Sequence, residues 1–324
     1  MEAELVRELP LGEGWQYEPK WDGFRGVLEN LDGELALWSR SGRPLLRYFP
    51  ELRPLGDLLP PGSALDGEVV IVRDGAVDFD AMQMRLHPAE SRIKRLSGEI
   101  PAEFIAFDVL LWKGTPVWQR PLTERRTELE RQATGFRLSP TAGSLDEARG
   151  WLDRFESLGL DGVVAKRLDA PYLPGSRAGM VKVKEHKSAD CVVVGFRSKG
   201  GPATVATLLL GLYREDGGMD YVGSCAVAAR SQAEVATRVL PLVVDGEPGR
   251  ISEPNRWGSG DLEETRIRPE LVVEVRYDKV QGNRFRHGTK LIRWRDDKAP
   301  ADCTWRELRP PRGEAGSIET LLAG

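Results

Sequence analysis

The residues best suited to chemistry lie in Glu18-Pro19-Lys20-Trp21-Asp22-Gly23-Phe24-Arg25. Lys20 has a carboxylate two positions before it and another two after it, with Arg25 five beyond. A protonated lysine is a poor nucleophile. Attack on phosphorus needs its pKa lowered by desolvation or by nearby cations. Arg25, across the Asp22-Gly23 turn, is placed to do this, or to hold a phosphate or a ribose. The plainer reading is a hairpin whose lysine is a surface charge. Further along, Lys182 and Lys184 alternate with Val181 and Val183, so both ammonium groups leave one face of a strand. Two like charges so placed need an anion between them, or mark an exposed edge strand.

Other polar residues sit where ligand contacts are expected. Ser39-Arg40-Ser41-Gly42-Arg43 is a glycine turn flanked by arginines, able to offer backbone N–H groups and charge to an anion; the alternative is a surface turn. Asp66 and Glu68 stand at the mouth of the β-branched run Val69–Val72, two apart and so on one face. Asp108 interrupts the most apolar segment, residues 103–112, and a buried aspartate there needs a partner, while Phe107 beside it reads as plain core or as a ring open to a base. Asp161 and Lys166 bracket the apolar run that follows Gly162. The run from Arg284 to Lys298 is the most basic in the chain, with Arg293, Arg295 and Lys298 near its end.

These residues need elements to hold them. Residues 24–29 and 34–39 read as strands joined by a turn at 30–33. Residues 63–73 and 103–112 read as buried strands, with a short helix at 79–86 and another from 121 to 132. Ser144-Leu145-Asp146-Glu147 is a capping box. It opens a helix with Ala148, Trp151, Leu152, Phe155 and Leu158 at helical spacing, ended by Gly159. Those aromatics are core. After Lys187 the pattern changes to short strands at 190–196, 205–213, 221–227 and 271–277. Ser231-Gln232-Ala233-Glu234 reads as a second capping box, before a helix to about Leu240. Strands with one interposed helix suggest a small barrel of OB type. Residues 245–270 read as a long loop.

The chain has 324 residues, 40% hydrophobic and 30% charged, as expected of a globular protein of one or two domains. No run of 18 apolar residues occurs, so no membrane span is expected, and the charged N-terminus lacks a secretory h-region. Cys191, Cys225 and Cys303 form no zinc or disulfide pattern, and the three histidines are scattered, which argues against a histidine-based metal site or a Ser-His-Asp triad. There is no GxxxxGK[ST] loop, so a P-loop ATPase is not expected. The net charge of −4 does not advertise nucleic acid, but such a footprint is local. With 35 arginines among 46 basic residues, clusters of arginine carry more weight than single ones.

Lys-x-Asp-Gly-x-Arg resembles the signature of the covalent nucleotidyltransferases: DNA ligases, RNA ligases and capping enzymes. Five further stretches follow in that family's order: Ser39 to Gly42, Asp66-Gly67-Glu68, Phe107-Asp108, Asp161-Gly162 with Lys166, and Lys182-Val183-Lys184. Arg295-Asp296-Asp297-Lys298 matches the end of the pattern. The chain most resembles the catalytic core of a short bacterial ATP-dependent DNA ligase, the ligase C type or the ligase module of ligase D. The resemblance implies an α+β fold, with an adenylation domain of antiparallel sheets and helices over 1–187 and an OB-fold barrel over 188–324. It implies Lys20 as nucleophile toward ATP. Glu18, Arg25, Arg40, Glu68, Phe107, Lys182, Lys184, Arg295 and Lys298 would bind the nucleotide, with Phe107 stacking on adenine and Arg295 and Lys298 orienting pyrophosphate. Glu68 and Asp161 would meet Mg²⁺ or Mn²⁺. The family form at Asp161 is a glutamate, and the shorter side chain leaves direct metal contact in doubt. Met180 stands where the family often has tryptophan. The implied partner is nicked double-stranded DNA, with Ku or other repair proteins in end joining. The implied form is a monomer at the nucleoid of the cytoplasm, its OB domain turning near residues 185–190. The rival readings are an RNA ligase or GTP-using capping enzyme, and a non-enzymatic OB-type nucleic-acid binder; retention of Lys20, Glu68, Lys182 and Lys184 argues against the last.

Overall fold

The computed structural model of the chain describes residues 1–155, 157–184, 187–198, 204–244, 264–308 and 316–323. They fall into two compact units. One comprises Met1–Glu185 with Pro310–Gly324, the other His186–Arg309.

The first unit holds two main sheets and a two-stranded ribbon, Val72–Arg73 with Ala76–Val77. The larger has six strands, with Glu103–Trp112 paired to Ser63–Val70, then Phe24–Asn30 and Leu35–Ser39; Arg137–Leu138 and Thr115–Pro116 also pair with the Glu103 strand. Successive side chains of a strand point to opposite faces, so its central strands feed two cores. Phe104, Ala106 and Val69 pack with Leu28, Phe49 and Met82 on one side. Ile105 and Val70 pack on the other with Tyr17, Trp151 and Val163. This double burial is why residues 103–112 read as nearly continuous apolar sequence. The smaller sheet runs in the order Glu4–Leu5, Met180–Val183, Val163–Arg167, Trp15–Pro19. Helix Leu145–Phe155 lies in the second core, and the Ser144 hydroxyl accepts from the backbone N–H of Glu147 at 3.2 Å, as the capping box requires.

In the second unit, five strands close on themselves. Val205–Tyr213, Met219–Ala226, Thr289–Trp294, Val272–Tyr277 and Lys187–Ser198 pair in turn, and Lys187–Ser198 pairs back to Val205–Tyr213. Helix Gln232–Val239 intervenes in sequence. This is the five-stranded closure of an OB barrel, filled by Val192, Phe196, Leu208, Leu210, Val222 and Val273 among others. The α+β class and the OB-type second sheet are as the sequence implied.

Several local readings are corrected. A helix at Glu90–Glu99 was not foreseen, because only Ile93 and Leu96 are buried on an otherwise polar segment. Ser231 makes no capping hydrogen bond, because a 3-10 turn at Ala229–Ser231 feeds straight into the helix and leaves Ser231 in a helical conformation. The basic run contains a strand, Thr289–Trp294. Of the expected loop at 245–270, residues 245–263 lie outside the described residues, and Glu264–Arg266 is a strand. Nor does the second unit extend to residue 324. Helix Ile318–Ala323 packs on the first unit: Ile318 is fully buried in its second core, its N–H donates to the Gly75 carbonyl at 2.8 Å, and Glu319 pairs with Arg137 at 2.9 Å. Among the described residues no helix is long and apolar enough to cross a membrane.

Candidate active site

The first unit contains a cleft of about 600 Å³ between its two main sheets, lined by Glu18, Lys20, Arg25, Arg40, Glu68 and Phe107, together with Lys166 and Lys182. Backbone pairing fixes Lys20. Strand Trp15–Pro19 runs antiparallel to Val163–Arg167, with Pro19 opposite Val163. Beyond that pair the Lys20 N–H donates to the Gly162 carbonyl at 2.8 Å, and the Asp161 N–H donates to the Lys20 carbonyl at 3.0 Å. Gly162 has φ +136°, and a Cβ there would lie 2.1 Å from the Val183 carbonyl oxygen. Only glycine lets the three segments meet. Trp21, buried in the second core, donates to Ser139 Oγ at 3.0 Å and anchors the other side of the lysine.

Side-chain contacts divide the site into groups. Lys20 Nζ lies 2.6 Å and Lys184 Nζ 3.0 Å from Asp161 Oδ2. Burial works to raise the Asp161 pKa, but the two lysines outweigh it and hold the carboxyl well below the usual range. Burial, then Lys20 and Lys184, press Lys182 below its ordinary value. Asp161 is thus the counter-anion of Lys184, shared with Lys20. Glu18, 2% exposed, takes Lys166 Nζ at 2.8 Å and the Gln16 amide at 2.8 Å. Lys166 Nζ also stands 4.6 Å from the centre of the Phe107 ring. Arg25 grips Asp66 through Nε at 3.2 Å and Nη2 at 2.7 Å, donates to the Met1 carbonyl at 2.6 Å, and lies 5.5 Å from the Phe107 ring centre. Glu68 accepts the Gly23 N–H at 3.2 Å; burial pushes its carboxyl up to about 8, against the pull of Lys20 and Arg25.

The turn at Ser39 to Arg43 is held by hydrogen bonds within it, including one between the Ser39 and Ser41 hydroxyls at 3.2 Å. Ser39 N–H donates to the Arg43 carbonyl at 2.8 Å, Gly42 N–H to the Ser39 carbonyl at 2.8 Å, and Arg43 N–H to Ser39 Oγ at 2.9 Å. It carries Arg40 to the cleft. In the second unit Arg295 Nη1 and Lys298 Nζ converge on Asp190 Oδ2 at 2.6 and 3.0 Å, and Arg295 also pairs with Asp297. Those two basic residues are therefore spaced by a shared acid, as Lys20 and Lys184 are.

Against known proteins, the profile of the ATP dependent DNA ligase domain matches residues 3–184, more than half the chain, and that of the ATP dependent DNA ligase C terminal region matches 202–298. The chain belongs to the ATP-dependent DNA ligase family. It is 44% identical to DNA ligase C1 of Mycolicibacterium smegmatis, over 92% of this chain and 89% of that protein. It is 31% identical to the multifunctional non-homologous end joining DNA repair protein LigD of Mycobacterium tuberculosis, over 92% of this chain and 36% of LigD. A solved Lig E DNA ligase shares the fold at a TM-score of 0.56 and 15% identity, covering 91% of this chain and all of that one. The enzyme is thus an ATP-dependent DNA ligase, with ATP as its substrate.

The ligase has residues at this site that the sequence alone left without a role. Lys166 was visible at the end of its strand, but its pairing with Glu18 depends on the register across two strands. Asp66 stood beside Glu68, yet nothing local marked it as the holder of Arg25. Tyr172 and Arg177 carried no signal. Among the described residues no group of three or more His, Cys, Asp or Glu converges to hold a metal ion. Glu68 lines the cleft and fits as a single carboxylate ligand beside phosphate oxygens, the usual way Mg²⁺ is held with nucleotides. Asp161 fits a metal ion less well, since its Oδ2 is already held by two ammonium groups whose charge repels a cation.

Proposed function

We propose that Lys20 is the adenylated nucleophile of a nick-sealing DNA ligase. The observation that carries this is its placement: a cleft-lining amine, fixed through its backbone to Asp161 and Gly162 and held by one carboxylate beside two further lysines. The Lys20 amine, having given up a proton, forms an N–P bond to the α-phosphorus of ATP. The bond from that phosphorus to the bridging oxygen breaks, and pyrophosphate leaves. A 5′-phosphate oxygen at a nick then attacks the same phosphorus and frees the lysine. Finally the 3′-hydroxyl attacks the 5′-phosphate, and AMP leaves.

Asp161 orients the amine and separates it from Lys184. Lys182 and Lys184 offer cationic charge to the α-phosphate. Phe107 offers a stacking face to adenine. Glu18, held through Oε1 by Lys166 and Gln16, is a fixed acceptor at the cleft wall, and Arg25 and Arg40 take the ribose side. Mg²⁺ or Mn²⁺, held by Glu68 and the phosphates, would supply charge neutralisation. Arg295 and Lys298 are assigned to the leaving pyrophosphate, with a hinge of the OB domain near 185–190; Glu185 and His186 lie outside the described residues. The likeness to LigD, a non-homologous end joining DNA repair protein, supports a role in DNA repair; nicked duplex is assigned as the substrate and Ku as an end-joining partner. The enzyme acts as a monomer at the nucleoid.

Intact mass after incubation with ATP and Mg²⁺ tests the reading. Wild type gains one AMP and Lys20→Ala gains none. Nicked DNA then discharges the adduct, and nicked RNA does not. No gain in wild type, after pyrophosphate stripping and with Mn²⁺ also tried, would sink the assignment of the nucleophile.

A further inference from the structure

Behind the cleft wall lies a buried polar network. Asp66 and Asp108, 1% and 3% exposed, stand directly opposite each other on paired strands. Two carboxylates so close and so dry require compensation. Each receives its own arginine. Arg25 grips Asp66, and Arg125 grips Asp108 through Nε at 2.8 Å and Nη2 at 2.9 Å. Tyr172 sits between the two pairs. Its hydroxyl donates to Asp66 Oδ2 at 2.8 Å and accepts from Arg25 Nη2 at 3.4 Å, while its ring centre lies 5.9 Å from the Arg125 guanidinium. Arg125 also donates to the Arg120 and Ala170 carbonyls at 2.6 and 3.0 Å, which ties it to the loop carrying Tyr172. Burial and the neighbouring Asp66 push the phenol above its ordinary range, so the hydroxyl stays protonated and remains a donor.

We infer that Tyr172 is a positioning residue for nucleotide binding, acting through Asp66 to fix the angle at which Arg25 enters the cleft. Asp66 Oδ2 takes both Arg25 Nη2 and the tyrosine hydroxyl, so the phenol restrains how the carboxylate can turn. Its hydroxyl is also a second acceptor for that nitrogen. The guanidinium thus meets its ligand already oriented, and the orientation cost is not met on binding. Because Tyr172 touches only the anchored side of Arg25, its removal affects nucleotide affinity and not the bond-making step. The inference rests on the proposed adenylation of Lys20.

The test is single-turnover lysyl-AMP formation as a function of ATP concentration, in wild type, Tyr172→Phe, Arg25→Lys and the double variant, with thermal midpoints for each. Tyr172→Phe keeps the ring. It is expected to raise the half-saturating ATP concentration about tenfold, as losing one hydrogen bond to a charged group implies. The rate at saturation should stay within about twofold and the midpoint close to wild type. In the Arg25→Lys background the same change should add less than about twofold, since lysine cannot use the bidentate seat. An unchanged half-saturation in Tyr172→Phe, an equal rise in both backgrounds, or a rise matched by a large fall in midpoint would each overturn the inference. Failure of wild type to label would instead overturn the adenylation reading, so the two failures are distinct.

Discussion

The Glu68 carboxyl is held at a cost. Its pKa is pushed to about 8 from an ordinary 4.5, chiefly by burial. An acid that binds its proton more tightly when folded contributes stability that is full below 4.5 and is lost as pH rises through about 8. Glu68→Gln removes this titration while keeping the shape. The thermal midpoint of Glu68→Gln minus that of wild type should therefore climb between pH 5 and pH 9; a flat difference would show that Glu68 ionises at ordinary pH. Lysyl-AMP formation should fall in the same variant. Retaining an acid that weakens the fold at neutral pH fits a group kept for its ligand. At this scale the sequence was informative where chemistry is local. Lys20, Glu68 and the paired lysines announce themselves by type and spacing. The Lys20–Asp161 pair, the Lys166–Glu18 pair and the Tyr172–Asp66 bond do not, because each joins residues more than 100 positions apart. Only strand register brings them together.

Between residue and fold, the decisive element is the short antiparallel junction where residues 19–20 meet 161–163. Gly162 is its hinge pin. Gly162→Ala would drive a methyl into the Val183 carbonyl at a backbone angle that side chains rarely adopt. Overpacking and backbone strain together predict a loss of about 2–4 kcal/mol. The displacement falls on the residues that hold Lys20, so lysyl-AMP formation should drop as well, even far below the melting temperature. A useful contrast is Ile318→Ala, which empties a fully buried site in the same core and should cost about 2–5 kcal/mol. Ile318 does not line the cleft, so this variant should leave adenylation nearly intact in the cold. Equal loss of adenylation in both variants would mean that global stability, and not this junction, governs the reaction. The elements themselves were mostly legible, since alternating apolar residues and glycine turns encode strands of this kind. The Glu90–Glu99 helix and the cap at Ser231 were not, as a polar surface helix has little periodicity and a capping box says nothing of the turn that precedes it.

Charge is distributed unevenly over the whole molecule. Residues 186–309 carry 20 Lys and Arg against 18 Asp and Glu, which leaves 26 against 32 for the rest of the 46 and 50 in the chain. An overall charge of −4 therefore conceals a basic second unit. Within that unit many arginines are already paired: Arg293 with Glu274, Arg238 with Asp296, and Arg295 with Asp190 and Asp297. Pairing of this kind reduces the number of charges able to displace counterions from DNA. Affinity for a nick should accordingly depend on a few exposed cations rather than on the total. Lys290, exposed on strand Thr289–Trp294, is one candidate. Each phosphate contact contributes about 0.9 to the slope of log affinity against log salt. Lys290→Ala should lower that slope by about this amount, and weaken binding to nicks of different sequence alike. The measurement is affinity for a nicked duplex at several salt concentrations. An unaltered slope would move the DNA-facing surface away from this strand, whereas a change confined to one nick sequence would point to base contact and not to phosphate.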